Sequence, residues 1–411
     1  MSTILETLDF KQIRTLFLQL GPDCNMSCRH CHQTPDKSLC ASFDHTLSSD
    51  ALTVIEHFIQ YSQKPEFVKQ ADGSRFLFSV SFYGGETLLH WDIIKSLVLS
   101  MEQKFHYLSN HSFRFSLISN GLALTQEMVD FFNQYDVVFS FSYDAPYPFA
   151  VRGYVSDSVC ALVNKIKSLK IVCCGSAYNC DPLLAYRCLK AKFPNAIYTV
   201  RMEVLRTFDA MPSDIDNYDV EKLRYSLKKL FIAAKLKDSF ASTFILHQIQ
   251  FLFTPQENYF HMHRGVGYCV AGYREFTMNL DGSVPFCYNS FEVLGHVAKN
   301  SFSEIRAIAT DIWRKSYDPL CDSCECRDVC YWGCMIIMRD EHNHMYNCDR
   351  FRIPFFRMLK EMLVHVNEPL AQDEIDWYRK QELLMDKQVQ EFLAEPQRYL
   401  RESTFVPFSL L

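Results

Sequence analysis

The first half of the chain alternates short apolar stretches with longer segments in which apolar residues recur every three or four positions. The short stretches, each followed by glycine or polar residues, predict strands at residues 14–20, 75–83, 113–119, 136–143, 171–177 and 196–205. The longer segments predict helices at residues 49–61, 91–105, 126–132, 156–169 and 182–192, the third of them with Thr125 as its N-cap. This alternation is typical of an α/β fold with a parallel sheet and right-handed crossovers.

Six strand–helix units predict a partial (β/α)6 TIM-like barrel, in which chemistry takes place at the carboxyl ends of the strands. Polar segments follow four of the predicted strands in turn: a cysteine-rich loop at 24–31, Gly84-Gly85-Glu86, Ser119-Asn120-Gly121 and Ser142-Tyr143-Asp144. Because parallel strands end at the same rim of a barrel, we expect these segments to lie close together. The sequence therefore predicts one site at this rim.

The second half of the chain has a different composition. A polar loop after the sixth strand leads into two predicted helices, at 220–237 and 243–253. Turns and cysteines begin at Cys269, and apolar periodicity returns after Cys348, with a charged helix predicted at 372–394. We predict a barrel at residues 1–207, a helical bridge at 208–265, a small cysteine-rich domain at 266–350 and a C-terminal helical segment at 351–411.

Bulk composition narrows the class of protein. The 411 residues carry a formal net charge of −6, which argues against a nucleic-acid partner. No apolar run is long enough to span a bilayer, and residues 1–10 hold Glu6 and Asp9 in place of an apolar signal core. We therefore expect a cytoplasmic protein without a membrane partner. The 17 cysteines are an odd number and fall largely at ligand spacings, which favours metal binding over disulfides.

Three of these cysteines, Cys24, Cys28 and Cys31, have the spacing C-x3-C-x2-C. Thiolates are soft ligands that suit iron–sulfur clusters, and three of them on one loop can surround a [4Fe–4S] cube. Such a cube has four irons, so one iron keeps an open coordination position where a substrate can bind. The alternative is a zinc site, for which three nearby residues offer a fourth ligand: His30, His32 and Cys40.

The turn Gly84-Gly85-Glu86-Thr87 follows the second predicted strand. Glycine lets a backbone approach a ligand closely and adopt positive φ. The carboxylate of Glu86 can hold an ammonium group by charge-assisted hydrogen bonds. Alone, the tripeptide is more simply a plain turn. Because it follows the strand next to the cysteine loop, it predicts a ligand amine beside the cluster.

The cysteine triplet and this turn together resemble the radical S-adenosylmethionine (SAM) superfamily over about residues 14–205. The resemblance implies that the open iron chelates SAM, and that one electron from the reduced cluster yields methionine and a 5′-deoxyadenosyl radical, which abstracts a substrate hydrogen. The catalytic residues implied are Cys24, Cys28 and Cys31. The SAM contacts implied are His30 beside the adenine, Gly84, Gly85 and Glu86 at the amine, and Asn120, Ser142 and Asp144 at the methionine carboxylate or ribose. Arg152 would either assist a carboxylate or be an exposed structural arginine.

A second cysteine pattern occupies the predicted domain at 266–350. Cys269, Gly282 and Cys287 are followed by Cys321-x2-Cys324-x5-Cys330-x3-Cys334 and then by Cys348. The pattern resembles the SPASM extension of radical SAM enzymes, which implies two auxiliary [4Fe–4S] clusters. By this resemblance the ligands of the first are Cys269, Cys287 and Cys334, and those of the second are Cys321, Cys324, Cys330 and Cys348. A pair of zinc sites is the alternative.

Two details of this region bear on the clusters. Asp281-Gly282 predicts the turn of a hairpin between strands at 276–280 and 283–288. Residues 270–286 lack the further cysteine that some relatives have, so the first auxiliary cluster would keep an open iron or take another ligand, such as Glu275 or the substrate.

Other cysteines fall outside both patterns or between their members. Cys326 lies inside the C-x5-C segment and is predicted to be a stray buried thiol, or else an alternative ligand. Cys173 and Cys174 lie in a predicted strand, which favours a place in the core.

SPASM relatives mostly modify peptides or proteins, so the resemblance implies a peptide-modifying oxidoreductase. The leading hypothesis is a C–C or C–heteroatom cross-link in a ribosomally made precursor peptide, with a reducing protein such as a flavodoxin or ferredoxin as electron donor. An alternative is a sulfatase-maturase-like dehydrogenase that forms formylglycine, although Tyr288 stands where that branch has an aspartate base. A third is a non-catalytic iron–sulfur or zinc scaffold. Since 23 residues precede Cys24, we expect no N-terminal peptide-recognition domain.

Overall fold

The structure is a computed structural model of the chain. The structure describes residues 13–28, 30–31, 43–67, 78–109, 112–147, 152–153, 155–201, 218–253, 275–288, 292–315, 319–326 and 348–394.

A seven-stranded sheet forms the centre of the molecule, and every adjacent pair of its strands is parallel. Its strands are β1 (Thr15–Gln19), β2 (Phe78–Tyr83), β3 (Phe113–Ser119), β4 (Val138–Ser142), β5 (Leu169–Cys174), β6 (Ile197–Arg201) and β7 (Glu275–Asn279). The order across the sheet is β6-β5-β4-β3-β2-β1-β7. The sheet is open between β6 and β7, so the architecture is an α/β partial barrel, as the strand–helix alternation predicted.

The seventh strand corrects one prediction. β7 pairs with β1 in parallel, with Thr277 opposite Phe17, and does not form a hairpin with the segment that follows it. Two short strands, β8 (Ser283–Pro285) and β9 (Val293–His296), pair with each other in antiparallel orientation instead. The predicted turn does form, since the Gly282 amide donates to the Asn279 carbonyl at 3.1 Å. The apolar residues of β7 are buried, which favours a place in the large sheet over an exposed hairpin.

Ten helices surround and extend the sheet in the described part of the chain. They are α1 (Ser49–Ser62), α2 (Trp91–Phe105), α3 (Gln126–Gln134), α4 (Asp157–Val163), α5 (Pro182–Lys192), α6 (Val220–Lys235), α7 (Ser239–Phe253), α8 (Phe302–Lys315), α9 (Ile353–Val364) and α10 (Gln372–Ala394). Short 3₁₀ turns occur at Pro65–Phe67, Thr87–His90, Tyr107–Ser109 and Pro319–Ser323, and a π-helical turn spans Cys348–Arg352. None of these helices has the length and apolarity needed to cross a membrane.

Aromatic packing on β3 shows how the sheet is buried. Phe113, Phe115 and Leu117 alternate along the strand and are fully or almost fully buried. Phe115 stacks on Phe82 of β2 with ring centroids 5.6 Å apart, and Tyr107 packs edge-on against Phe115 at 5.3 Å. Each such side chain stabilises the fold by about 1.5–3 kcal/mol through burial, so the rim segments are carried on a rigid base.

The C-terminal helix α10 packs on the barrel helices. Arg187 of α5 pairs with Glu382 at 2.7 Å and with Asp386 at 3.0 Å. Phe392 near the end of α10 is fully buried, with the Lys192 ammonium 5.8 Å from the centre of its ring. The charged helix predicted at 372–394 is therefore part of the same packed body as the barrel.

Candidate functional site

The cysteine loop begins where β1 ends, and its first residues are fastened to the turn after β2. The Leu20 amide donates to the Tyr83 carbonyl at 2.8 Å. The Gly85 amide donates to the Gly21 carbonyl at 2.8 Å, and the Glu86 amide donates to the Asp23 carbonyl at 2.7 Å. The loop and the turn therefore form one backbone unit, and two of the four predicted rim segments are in direct contact.

The two glycines of this turn are required by the approach of the loop backbone. A Cβ on Gly84, whose φ is +154°, would lie 2.4 Å from the Gly21 carbonyl oxygen. A Cβ on Gly85 would lie 2.2 Å from the Pro22 carbonyl oxygen. Because this oxygen belongs to the backbone, it cannot move aside as a flexible side chain could. The sequence predicted glycines that admit a ligand. The structure adds a nearer reason, which is that the turn packs directly on the chain leading into the cysteines.

Glu86 has three hydrogen-bond donors within the protein. Its side chain is 1% exposed and accepts from the Leu88 amide at 3.0 Å, the Ser119 hydroxyl at 2.6 Å and the Asn120 amide at 2.8 Å. Burial raises the pKa of Glu86, while these three bonds oppose that rise. The carboxylate therefore joins the end of β2 to the end of β3. Its predicted contact with a ligand ammonium stays a prediction.

Asn120 connects the end of β3 to the cysteine loop. Its side-chain amide donates to Asn25 Oδ1 at 2.8 Å and lies 3.9 Å from the Cys24 sulfur. The side-chain oxygen of Asn120, Oδ1, accepts a hydrogen bond from the Leu122 amide at 2.9 Å. The third predicted rim segment therefore meets the first through this one buried side chain.

The three thiols are half-buried, and the local backbone is turned toward them. The Cys31 amide donates to the Cys28 carbonyl at 3.1 Å, and the Met26 amide points to the Cys24 sulfur at 3.4 Å. Burial raises the pKa of Cys24, and raises that of Cys28 to about 11 despite the opposing charge of Arg152. Metal-free Cys24 and Cys28 would hold their protons, and a bound cation would release them.

The spacing of the thiols bears on which metal they fit. Sulfurs around one tetrahedral zinc lie roughly 3.8 Å apart. The ligand atoms of Cys24, Cys28 and Cys31 are not all within 4.8 Å of one another. In the described residues, only a group of two histidines and one aspartate has its ligand atoms this close together. In this arrangement the three sulfurs do not surround one ion, and three thiolates on one loop can each bind a different iron of one cluster. The donor set fits an iron–sulfur cluster.

The buried Asp144, at the fourth rim segment, is held by a half-buried arginine. Its side chain is 0% exposed, and Arg152 Nε lies 2.6 Å from Oδ2 in a close ion pair. Oδ1 accepts from the Cys174 amide at 2.8 Å, and His30 Nε2 lies 3.9 Å from Oδ2. Burial by itself lowers the pKa of Arg152, but Asp144, Cys174 and Cys28 outweigh it and raise that pKa.

These contacts change the roles expected of the fourth segment. Arg152 is not an exposed arginine, because it lies inside the rim between Asp144 and the cysteines. His30, which the sequence predicts to lie beside the adenine, is buried next to this ion pair. Ser142 lies half-buried near the end of β4, opposite Val172 of β5. The ligand contacts of all three remain predictions.

An aromatic cluster at the ends of β1 and β2 was not anticipated. Tyr288 packs against Phe17 at 4.4 Å and against Tyr83 at 4.8 Å between ring centroids, and its carbonyl accepts from Gln19 Nε2 at 3.2 Å. Burial raises the pKa of Tyr83 well above its usual value, and nearby Tyr288, Cys31 and Cys287 raise it further. The sequence signal was slight, namely a tyrosine directly before the Gly84-Gly85 turn.

This cluster brings the two cysteine patterns toward each other. Cys31 of the first pattern and Cys287 of the second both lie close enough to the Tyr83 phenol to act on it electrostatically. Cys287 is buried, one residue before Tyr288. The segment that carries Cys287 therefore extends from the barrel rim itself, directly after β7 and β8.

The other members of the second pattern are described only in part. Cys321, Cys324 and Cys348 are half-buried, and the Cys326 amide points to the Cys324 sulfur at 3.5 Å, as Met26 does to Cys24. Amide-to-sulfur contacts of this kind tune iron–sulfur sites. Three predicted ligands lie outside the described residues: Cys269, Cys330 and Cys334. Two candidates for the zinc alternative, His32 and Cys40, also lie outside them.

The remaining thiols separate into core and rim positions. The Cys326 side chain is 1% exposed, with its sulfur 3.7 Å from the Ile353 carbonyl, so it is a buried thiol as predicted. Cys173 is buried in β5, also as predicted. Cys174 is only half-buried and lies 3.9 Å from Arg152 Nη2, so its prediction as a core residue was wrong.

Comparison with known proteins finds a superfamily that matches part of the chain and solved structures with a similar fold. Residues 18–178 match the radical SAM superfamily. The radical SAM cyclopropyl synthase TigE of Paramaledivibacter caminithermalis is 23% identical over 247 residues, which cover 58% of this chain and 45% of that protein. The structure of native anSMEcpe with bound AdoMet is similar with a TM-score of 0.59 and 16% identity, over 86% of this chain and 99% of that one. The same protein with bound AdoMet and Cp18Cys peptide gives 0.59 and 16%, over 87% and 100%.

Proposed function

We propose that this chain, whose residues 18–178 match the radical SAM superfamily, is a radical SAM enzyme that modifies a ribosomally made precursor peptide by forming a carbon–carbon or carbon–heteroatom cross-link. The observation that carries the proposal is the convergence of the cysteine loop, the Gly84-Gly85-Glu86 turn and Asn120 at the carboxyl ends of adjacent parallel strands. Carboxyl ends of barrel strands are where catalytic residues collect.

The proposed cofactors are a SAM-binding [4Fe–4S] cluster and SAM, which together supply a one-electron cleavage of the sulfonium when bound. Cys24, Cys28 and Cys31 would hold the cluster. The residues proposed to contact SAM are His30, Gly84, Gly85, Glu86, Asn120, Ser142 and Asp144. Two auxiliary [4Fe–4S] clusters are proposed on Cys269, Cys287 and Cys334 and on Cys321, Cys324, Cys330 and Cys348, in a SPASM domain at residues 266–350.

The chain's own residues would position these groups and exclude water. The Asn120–Asn25 hydrogen bond at 2.8 Å fixes the first turn of the cysteine loop against β3. The buried Asp144–Arg152 pair places a compensated positive charge near Cys28. Phe17, Tyr83 and Tyr288 form an aromatic wall between the first loop and Cys287. Such fixed, dry surroundings strengthen electrostatic interactions and suppress side reactions.

The remaining elements of the proposal are the partners and the location. TigE is by name a cyclopropyl synthase, and anSMEcpe has a structure with a bound peptide. The peptide-bound structure supports a peptide or protein substrate for this chain. A flavodoxin-like or ferredoxin-like protein would donate the electrons, and a cytoplasmic location with neither nucleic-acid nor membrane partners is proposed from the composition.

Co-expression with the short open reading frames beside the gene tests the reaction. A cross-linked peptide should lose a pair of hydrogens, and fragmentation between the joined residues should disappear. The matched control is the same peptide expressed with a Cys24→Ala, Cys28→Ala, Cys31→Ala variant, which should leave its mass unchanged. A modified peptide that reacts with a hydrazide probe carries an aldehyde. This result would contradict a cross-link and would indicate oxidation of a residue to formylglycine. A chain that never cleaves SAM would be a scaffold.

A further inference from the structure

Three side chains outside the cysteine pattern converge beside the end of β1. Asp23, His45 and His90 each offer one ligand atom, and these atoms lie within 4.8 Å of one another. No other group of histidine, cysteine, aspartate or glutamate in the described ranges meets this criterion. We propose that Asp23, His45 and His90 bind a divalent first-row transition metal such as Zn²⁺, at a site distinct from the iron–sulfur clusters.

The distances suit one small cation. His45 Nε2 lies 3.2 Å and His90 Nε2 lies 3.8 Å from the same oxygen, Asp23 Oδ2. Ligands at tetrahedral zinc are roughly 3.4 Å apart, so both distances are close to those that one ion would impose. Two imidazoles with one carboxylate are a common donor set for zinc and for ferrous iron. Because the protein supplies three ligands, a coordination position stays open.

The orientation of His45 is set by a backbone group. Its Nδ1 lies 3.0 Å from the Leu20 carbonyl oxygen, which can only accept a hydrogen bond, so Nδ1 carries a proton. In the neutral ring Nε2 is then a lone pair that faces Asp23. This is the arrangement that orients histidine ligands in metal sites. A Cβ on Gly21 would lie 2.5 Å from His45 Cε1, so glycine at that position admits the ring.

The second histidine has a buried nitrogen that the described residues do not satisfy. His90 Nε2 is buried without a hydrogen-bond partner in that part of the chain. The ring stacks on His45 with centroids 4.8 Å apart, and it does not cap α2, although His90 occupies the N-cap position. Leaving such a nitrogen unsatisfied costs about 1–3 kcal/mol. An ion pair between Asp23 and a protonated His45 leaves His90 Nε2 without a partner in the described residues. A shared metal ion would satisfy all three groups.

A metal ion at this site would connect the cysteine loop to two other segments of the chain. Asp23 directly precedes Cys24, His45 lies before α1, and His90 directly precedes α2. A metal ion would join these three segments at the base of the cysteine loop. Asp23 and His45 are 40% and 37% exposed, so a metal ion has a route from solvent.

Zinc binding to the protein with its clusters in place tests the proposal. After removal of loose metal with a chelator, dialysis against Zn²⁺ should leave about one zinc per chain beyond the iron content, measured by elemental mass spectrometry. His45→Gln and His90→Asn should each lose this zinc while retaining their iron. Glutamine can still donate to Leu20, and asparagine is a favoured N-cap residue, so both changes spare the fold. His57→Ala, an exposed histidine on α1, is the matched control and should keep the zinc.

Co²⁺ in place of Zn²⁺ identifies the ligands. Nitrogen and oxygen ligation predicts cobalt d–d bands without the intense charge-transfer bands of thiolate–cobalt bonds. Three results would each overturn the site: thiolate bands, equal zinc in the wild type and both histidine variants, or no zinc in a folded wild type. The last result would leave only an ion pair between Asp23 and His45. Because iron content and SAM cleavage are measured separately, failure of this site is distinguishable from failure of the proposed function.

Discussion

Replacing Cys24, Cys28 and Cys31 together by alanine is expected to abolish 5′-deoxyadenosine formation and to lower the iron content from about twelve to about eight atoms per chain. The three half-buried thiols lie on one loop, and on our account they are the complete protein ligand set of one cluster. The other cysteine pattern would keep its iron. Iron and sulfide analysis after anaerobic reconstitution, with chromatography of the nucleoside product, measures both quantities.

The control for this triple variant is a cysteine outside both patterns. Cys160→Ala removes a buried thiol from α4 and should leave iron and nucleoside formation unchanged. An iron content of about four in the wild type would exclude two auxiliary clusters. Nucleoside formation that persists in the triple variant would exclude the cysteine loop as the catalytic centre.

Arg152→Ala is expected to destabilise the protein by about 3–5 kcal/mol, because it leaves the buried Asp144 carboxylate without its cation. The side chain of Asp144 is 0% exposed, and Arg152 Nε lies 2.6 Å away. The Cys174 amide is one further donor to this carboxylate, and it cannot replace a charge. Denaturant unfolding of the cluster-containing protein, followed by circular dichroism, measures the loss.

Two comparisons make this measurement specific. Lys95→Ala breaks an exposed ion pair with Glu127, in which the two charged atoms lie 2.7 Å apart, and should cost less than about 1 kcal/mol. The double variant Asp144→Asn, Arg152→Gln removes both charges and should recover part of the stability lost in Arg152→Ala. Equal losses for Arg152→Ala and Lys95→Ala would mean that the Asp144–Arg152 pair is not buried in solution.

The barrel was predictable because its signals are local. The helix α2 begins at Trp91 and ends at Phe105, as its apolar periodicity predicted, and Thr125 caps α3 by accepting from the Met128 amide. The prediction of a helix over 156–169 was too long, since α4 ends at Val163 and Leu169 already belongs to β5. The partner of β7 was not predictable, because an apolar alternation is the same whichever strand lies beside it.

The site was predictable in its position and less so in its contacts. Strand ends predicted four rim segments together, and the structure joins three of them through Gly85, Glu86 and Asn120. The fourth segment approaches the cysteine loop where Asp144 lies 3.9 Å from His30. The buried partner of Asp144 lies eight residues away along the chain, and the donors to Glu86 include residues more than thirty positions distant. Such pairings depend on tertiary packing, which periodicity and motif spacing do not encode.

The central claim is that the cluster on Cys24, Cys28 and Cys31 keeps one iron open for SAM. Electron paramagnetic resonance of the reduced protein, with the spectrum of the triple alanine variant subtracted, isolates the signal of this cluster. Adding SAM should change the g-values of that difference signal, because the sulfonium compound enters the coordination sphere of the iron. A difference signal unaltered by saturating SAM would mean that a fourth ligand already occupies the iron, and would contradict the account.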